Sequence, residues 1–448
     1  MRVVEKRIYQ GGAGPYCTSL PEGFLTMSDY TTPRTEKQEG TCGKTHKKQQ
    51  KATSYNWRQR RDSDFRALRA AQGVEHPLTP VAAGLYMDPH TGEAVPALHD
   101  EQYDWRQKKQ KTIAVADLYR AGHDDQYADR AMSCATWLQY LANLDGDKRT
   151  LRAFNACHLR LCPLCSNRRA RLMTARLIRI LTAVKAEHPT ATLLFLTLTV
   201  KNCKADELRD TLTLLTAAWA KLAKRRPFMR AVKGWFRAIE ITRNQSDGTY
   251  HPHIHAILVV EPDYFKRSGG LYIFQGVGAQ VPPDGYKIPS WVDMWRQCLQ
   301  ADYQPIVGIS RAKGKAGEQR DTNAASLNAA MEAAKYATKD AEYINGKIPE
   351  AERADVLRTY TDALRGKRLV ALGGWMADAA AGVDLEDDGD LVHADDDSGG
   401  DLTAATAEML EDYGWHFGVS QHVLMFRQNN PDYQGGSTDD MDDGPGDA

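Results

Sequence analysis

The segment HPHIHAILVV places His251, His253 and His255 at every second position. Side chains alternate across a β-strand, so the three imidazoles share one face while Ile254, Ala256 and Leu258 share the other. Two imidazoles one residue apart converge on a single point, as a metal site requires. Upstream, Phe236 to Thr242 reads as a second strand, and Arg243 to Tyr250 supplies the Asn, Ser, Asp and Gly of a turn. A turn centred between Ser246 and Asp247 sets Glu240 opposite His253 and Ile239 opposite Ile254. A carboxylate beside two imidazoles is a hard-leaning donor set that suits Mg2+ or Mn2+ and accepts zinc. His251 is the rival third ligand, favoured if the register slips by two residues.

A second cluster lies in CHLRLCPLC, with Cys157, Cys162 and Cys165, and Cys134 lies upstream. A CPxC knuckle lets two thiolates grip one ion, and tetrahedral Zn2+ then needs two more ligands. Cys157 and Cys134 are the expected pair, with His158 competing for the fourth place. Arg160, Arg168, Arg169 and Arg171 flank the cluster and are expected to contact DNA phosphates. Between Leu151 and Arg237 there are 18 basic and four acidic residues.

The third constellation is MEAAKYATKDAEY, within an alanine-rich helical stretch from Thr322 to Tyr343. Glu332, Tyr336 and Lys339 fall along one helix face. A phenol is a weak nucleophile at neutral pH, and attack on phosphorus needs a nearby cation or base. Lys339 or a metal ion can meet that need. Taken alone, a Tyr and a Glu at helical spacing are ordinary surface or packing residues; the histidine strand upstream gives the pair its chemical reading.

These residues need a scaffold. LLFLTLTV alternates as a half-buried strand, Ala205 to Arg225 carries apolar residues at helical spacing, and the hairpin follows. Ser290 to Leu299 reads as helix and Gln304 to Ser310 as strand. The order strand, helix, hairpin, helix, strand, helix predicts an α+β fold, an antiparallel sheet with flanking helices. The expected organisation is a polar, basic, poorly ordered region of no derivable fold over residues 1–125, a zinc module with a basic helix over 126–185, and a sheet domain over 186–380. An acidic tail over 381–448 is expected to be disordered, with a short helix between Thr403 and Glu411.

Charge follows the same division. The 448 residues carry 58 basic and 58 acidic side chains, yet from Ala371 onward there is one basic residue against 19 acidic ones. Residues 1–370 therefore hold a surplus of 18 positive charges, which points to a polyanionic partner. No apolar run approaches the roughly 18 residues of a membrane span, and the N-terminus lacks a secretory core. A cytoplasmic location without membrane contact is expected, where clustered cysteines hold metal rather than form disulfides.

The ordered set CHLRLCPLC, FLTLTV, HPHIH and EAAKYATK, followed by LRGKRLVALGG, resembles the HUH endonucleases, and among them the rolling-circle plasmid replication initiators. The similarity covers about residues 130 to 380. It implies a sheet bearing His253 and His255, one divalent ion, and Tyr336 on a helix attacking origin DNA that is single-stranded or extruded as a hairpin. The products are a 5'-phosphotyrosyl link and a free 3'-OH primer. The resemblance further implies Glu332 as the general base that activates water at termination, with Tyr343 as an alternative second nucleophile, and host helicase and polymerase as partners. A conjugative relaxase or an HUH transposase shares this chemistry. A non-catalytic zinc-module regulator of DNA is the non-enzymatic alternative.

Overall fold

In the computed structural model, residues 78–89, 91–99, 103–265, 289–311, 348–382, 391 and 402–434 are described. They form three antiparallel sheets and their helices. Strands β1 (Thr79–Ala82), β2 (Leu85–Met87) and β3 (Ala94–Pro96) make a small meander. Helices α1 (Trp105–Ala121) and α2 (Asp125–Ser133) follow, each preceded by an aspartate whose carboxylate accepts the backbone N–H three residues on.

Strands β4 (Trp137–Ala142) and β5 (Arg149–Phe154) then lead through the cysteine loop into α3 (Pro163–Glu187). Cys162 caps α3 and Pro163 opens it, where the missing N–H costs nothing. Next come β6 (Thr192–Thr199), α4 (Leu208–Ala223), α5 (Arg226–Ala231), β7 (Gly234–Arg243), β8 (Tyr250–Val260), α6 (Trp291–Leu299) and β9 (Val307–Arg311). The described chain closes with α7 (Glu350–Leu364), β10 (Val370–Gly374), α8 (Trp375–Gly382), β11 (Met409–His416) and β12 (Gln421–Asn429).

The central sheet has the order β10-β7-β8-β6-β9. One face, with Leu194, Leu196, Leu198, Ile254, Ala256 and Leu258, is buried under α4, α6 and α7. On the other, Phe236, Ala238, Ile257 and Val259 are buried against Leu177, Ile180, Leu181 and Val184 of α3 and Met376 of α8. Both faces covered and all pairings antiparallel is the α+β architecture expected, and β6 to β9 follow the predicted order. At the edge, Gly373 lies under the Trp235 ring, where a Cβ would meet ring carbon at 2.3 Å, so a side chain there would push β10 off the sheet.

Two expectations are corrected. The region before residue 126 is not without a fold: α1 buries Trp105, Val115, Ala116, Leu118 and Tyr119 in the main core. Nor is all of 381–448 disordered. The predicted helix between Thr403 and Glu411 is instead turns at 404–406 leading into β11, and β11 and β12 complete a sheet of order β12-β11-β4-β5. Acidic side chains there are paired rather than solvated: buried Glu411 takes Arg149 at 2.6 Å, Arg427 at 3.2 Å and the Tyr413 hydroxyl at 2.9 Å. Asp412 accepts from Trp137 Nε1 and Gln139 Nε2. The boundaries expected at 126 and 381 thus cut through one packed module. Among the described residues, no helix is long and apolar enough to cross a membrane.

Candidate active site

The β7–β8 hairpin has the predicted register, with Glu240 opposite His253 and Ile239 opposite Ile254. Its turn is closed by Asn244 and Thr249, and Gly248, at φ +72°, takes the left-handed conformation that the reversal needs. Along β8, the face that buries Val259 and Ile257 under α3 continues into His255 and His253. The apolar row therefore turns into a donor row on a rigid strand.

The donors converge. Nε2 of His253 lies 3.1 Å and Nε2 of His255 lies 3.0 Å from the same Glu240 Oε2. Nδ1 of His253 is 3.0 Å from the carbonyl of His251. A carbonyl only accepts, so Nδ1 carries the proton in the neutral ring and Nε2 presents its lone pair. Nδ1 of His255 meets the Thr197 hydroxyl at 3.3 Å from the adjacent β6. These outer contacts fix both rings, as ligand histidines require. With both ring nitrogens about 3 Å from one carboxylate oxygen and all three atoms within 4.8 Å of one another, the group can ligate a single metal ion.

His251 stands apart from this group. Its Nδ1 lies 2.7 Å from Asn202 Oδ1, while burial and neighbouring His253 hold the ring below the usual imidazole range. The three atoms brought together are those of Glu240, His253 and His255. Thr197 is a contributor that sequence reasoning missed; its place on the Phe195, Thr197, Thr199 face is readable, but the pairing of β6 with β8 is not. Glu332, Tyr336, Lys339 and Tyr343 lie outside the described residues.

The four cysteines also meet. Sγ of Cys134 lies 3.4 Å from that of Cys165 and 3.7 Å from that of Cys162, and Cys157 lies 3.6 Å from Cys165. These are far longer than the roughly 2.05 Å of a disulfide and close to the edge, about 3.8 Å, of a tetrahedron of zinc-bound thiolates. Burial pushes the Cys134 and Cys157 thiols up. At Cys162 burial is outweighed by hydrogen bonds from the other three, which hold it well below the thiol range. His158 sits exposed on the loop at φ +55°, outside the sulfur group.

Around the sulfurs stand groups from α1 and α2, and those of α1 come from the region for which no fold was expected. The Thr112 hydroxyl is 3.7 Å from Cys162 Sγ, and Arg130 donates to the Cys157 carbonyl at 2.8 Å. Lys109, fully buried on α1, donates from Nζ to the carbonyls of Met132 and Cys134, both at 2.6 Å.

One predicted DNA contact is corrected. Arg168 is 1 % exposed, with its guanidinium over the rings of Tyr103, Trp105 and Phe154 at 5.2, 5.5 and 5.7 Å, and its Nε donates to the Leu391 carbonyl. A side chain so enclosed cannot reach a phosphate. Arg171, half-buried, lies over Tyr103 at 5.0 Å. Arg160 and Arg169 remain partly exposed, and burial together with the charge of Arg169 holds Arg160 below its usual range.

A family model described as "Replication protein" matches residues 148–421, which hold the Glu240, His253 and His255 site, three of the four clustered cysteines and all of β11. The chain belongs to this replication protein family. Among its relatives, the "Protein rep" of Lactiplantibacillus plantarum is 32% identical over 325 residues, covering 71% of this chain and 95% of the relative. The "Protein rep" of Streptococcus pneumoniae is 30% identical, covering 66% and 85%. A "Replication protein" of Staphylococcus aureus is 29% identical, covering 50% and 88%. No solved structure matches significantly. Membership bears out the resemblance to replication initiators. In this replication protein Cys134 lies just before the matched span and joins three cysteines inside it.

Proposed function

We propose that this replication protein initiates rolling-circle replication of a plasmid as an HUH endonuclease, a metal-dependent nickase and strand transferase acting on origin DNA in the cytoplasm. The observation that carries the reading is the meeting of His253, His255 and Glu240 on one point of the sheet, with both rings held by Nδ1 contacts. Mg2+ or Mn2+ bound there supplies Lewis-acid polarisation of the scissile phosphodiester and offsets the charge that develops on it.

The chain's own groups do the rest. Tyr336 is the nucleophile: its Oη bonds to phosphorus, the P–O3' bond breaks, and the departing 3' oxygen takes up a proton to become the primer hydroxyl. Lys339, three residues on, favours the phenolate. At termination Glu332 takes a proton from water, whose oxygen bonds to phosphorus as the P–Oη bond to Tyr336 breaks; the phenol regains a proton and the 5'-phosphate is freed. Arg160, Arg169 and Arg171 hold DNA phosphates beside the cysteine module, in which Cys134, Cys157, Cys162 and Cys165 keep a structural Zn2+. Host helicase and polymerase extend the primer.

An origin-bearing supercoiled plasmid incubated with the protein and Mn2+ tests this. The expected product is an open circle with protein on its 5' end, and intact supercoils at every Mn2+ concentration would contradict the reading.

A further inference from the structure

Lys109 is buried to 0 % exposure, and its two hydrogen-bond acceptors, the carbonyls of Met132 and Cys134, carry no formal charge. Burying an ammonium against neutral partners is costly. The same stretch of α1 looks onto the cysteine group: Lys109 holds the carbonyl of Cys134, and three residues on the Thr112 hydroxyl lies 3.7 Å from Cys162 Sγ. Four thiolates around one Zn2+ leave a net charge of minus two in a site where all four sulfurs are buried. Elsewhere in the module, Arg130 binds the Cys157 carbonyl. The two carbonyl contacts pin the ammonium to the backbone of a ligand residue, so its position is set by the same chain that sets Cys134.

We propose that Lys109 is the counter-ion of the four-cysteine zinc site, a positioning residue whose charge favours the zinc-bound state over the metal-free one. The role rests on the zinc reading of Cys134, Cys157, Cys162 and Cys165. It also explains why a lysine from α1, 25 residues before Cys134 in sequence, occupies the core of the module. An apolar residue there would leave two carbonyls without donors and the thiolates without a cation; an amide would restore only the donors.

Lys109→Gln in the full chain separates charge from hydrogen bonding. Zinc affinity is read by competition with a chromophoric chelator, zinc release is followed as pH falls, and the thiolate-to-metal absorption of the Co2+-loaded protein reports the ligand set. Expected are a loss of zinc affinity of about 10- to 100-fold and release at higher pH than wild type, with an unchanged Co2+ band. Equal affinity and equal release pH overturn the role of Lys109 and leave the zinc site standing. A wild-type chain that takes up no zinc overturns the four-cysteine reading, and the counter-ion with it. If Lys109→Gln is insoluble, refolding from urea decides: recovery at raised zinc supports the role, and failure at every zinc concentration overturns it.

Discussion

The Nε2–H of His422 on β12 donates to the carbonyl of Ala135, the residue after Cys134, at 2.8 Å. The last hairpin is thereby bonded into the cysteine module, and the His422 ring is buried. Burial pulls the imidazole down to about 3, with the Ala135 contact opposing and the Lys109 charge reinforcing the shift. The unfolded ring titrates near about 6.5, so the unfolded chain binds the extra proton first. The stability this ring contributes is complete above that pH and is lost as pH falls toward the folded value, by up to about 1.4 kcal/mol per unit. Urea unfolding of the zinc-loaded protein between about pH 7 and pH 5 should show a shallower acid loss for His422→Gln than for wild type. Equal slopes would contradict the assignment.

Arg168 and Arg169 are neighbours in sequence with opposite expected phenotypes. Arg168→Ala removes a buried guanidinium from three aromatic rings and the Leu391 carbonyl, and should cost about 2–3 kcal/mol in denaturant unfolding. Arg169→Ala should leave stability within about 0.5 kcal/mol, while weakening DNA binding and reducing the salt slope by about 1. A normal transition for Arg168→Ala with a reduced salt slope would reverse the two roles.

The three histidines of β8 should separate in the same way. His255→Ala and Glu240→Ala each remove a converging atom and should lower nicking by about 100-fold or more. His251→Ala loses the contact to Asn202 and should change nicking by less than about 10-fold. Initial rates on an origin oligonucleotide at several Mn2+ concentrations give the ranking, and a loss for His251→Ala equal to that for His255→Ala would make it the third ligand.

Thr197→Val keeps the shape of β6 and removes the partner of His255 Nδ1. The Mn2+ concentration for half-maximal nicking should rise about 10-fold, with the rate at saturating Mn2+ within a few-fold of wild type. A loss of maximal rate that no Mn2+ concentration restores would place Thr197 elsewhere in the chemistry.

Features that repeat locally are the ones legible in the sequence. The turn formers Asn244, Ser246, Asp247 and Gly248 mark the hairpin, and from a centre between Ser246 and Asp247 period-two alternation carries Glu240 to His253; only the observed pairing removes the two-residue slip that would favour His251. Ligand count asks for a fourth donor beside Cys157, Cys162 and Cys165 but leaves Cys134 and His158 both open, and it is the fold that brings in Cys134. Long-range pairing is hidden. Acidic composition marks 381–448 as solvated, but composition cannot show that Glu411 meets Arg149 across 262 residues. Arg168 does carry a signal: it lies between Leu164 and Leu172 in an i±4 row, all three buried. Lys109 carries a weaker one: it lies four residues after Trp105 and seven before Ala116 on the buried row of α1, whereas Lys108 and Lys111 beside it are only half-buried.

In the proposed nicking reaction Tyr336 becomes joined to the 5' end of the nicked strand. The direct measurement is to trap the protein on an origin oligonucleotide with Mn2+, digest the adduct with protease, and map the nucleotide-bearing peptide by mass spectrometry, with Tyr336→Phe in parallel. A phosphotyrosyl link on Tyr336 and no adduct from the variant are expected. An adduct on Tyr343, or one that persists in Tyr336→Phe, would contradict the role of Tyr336.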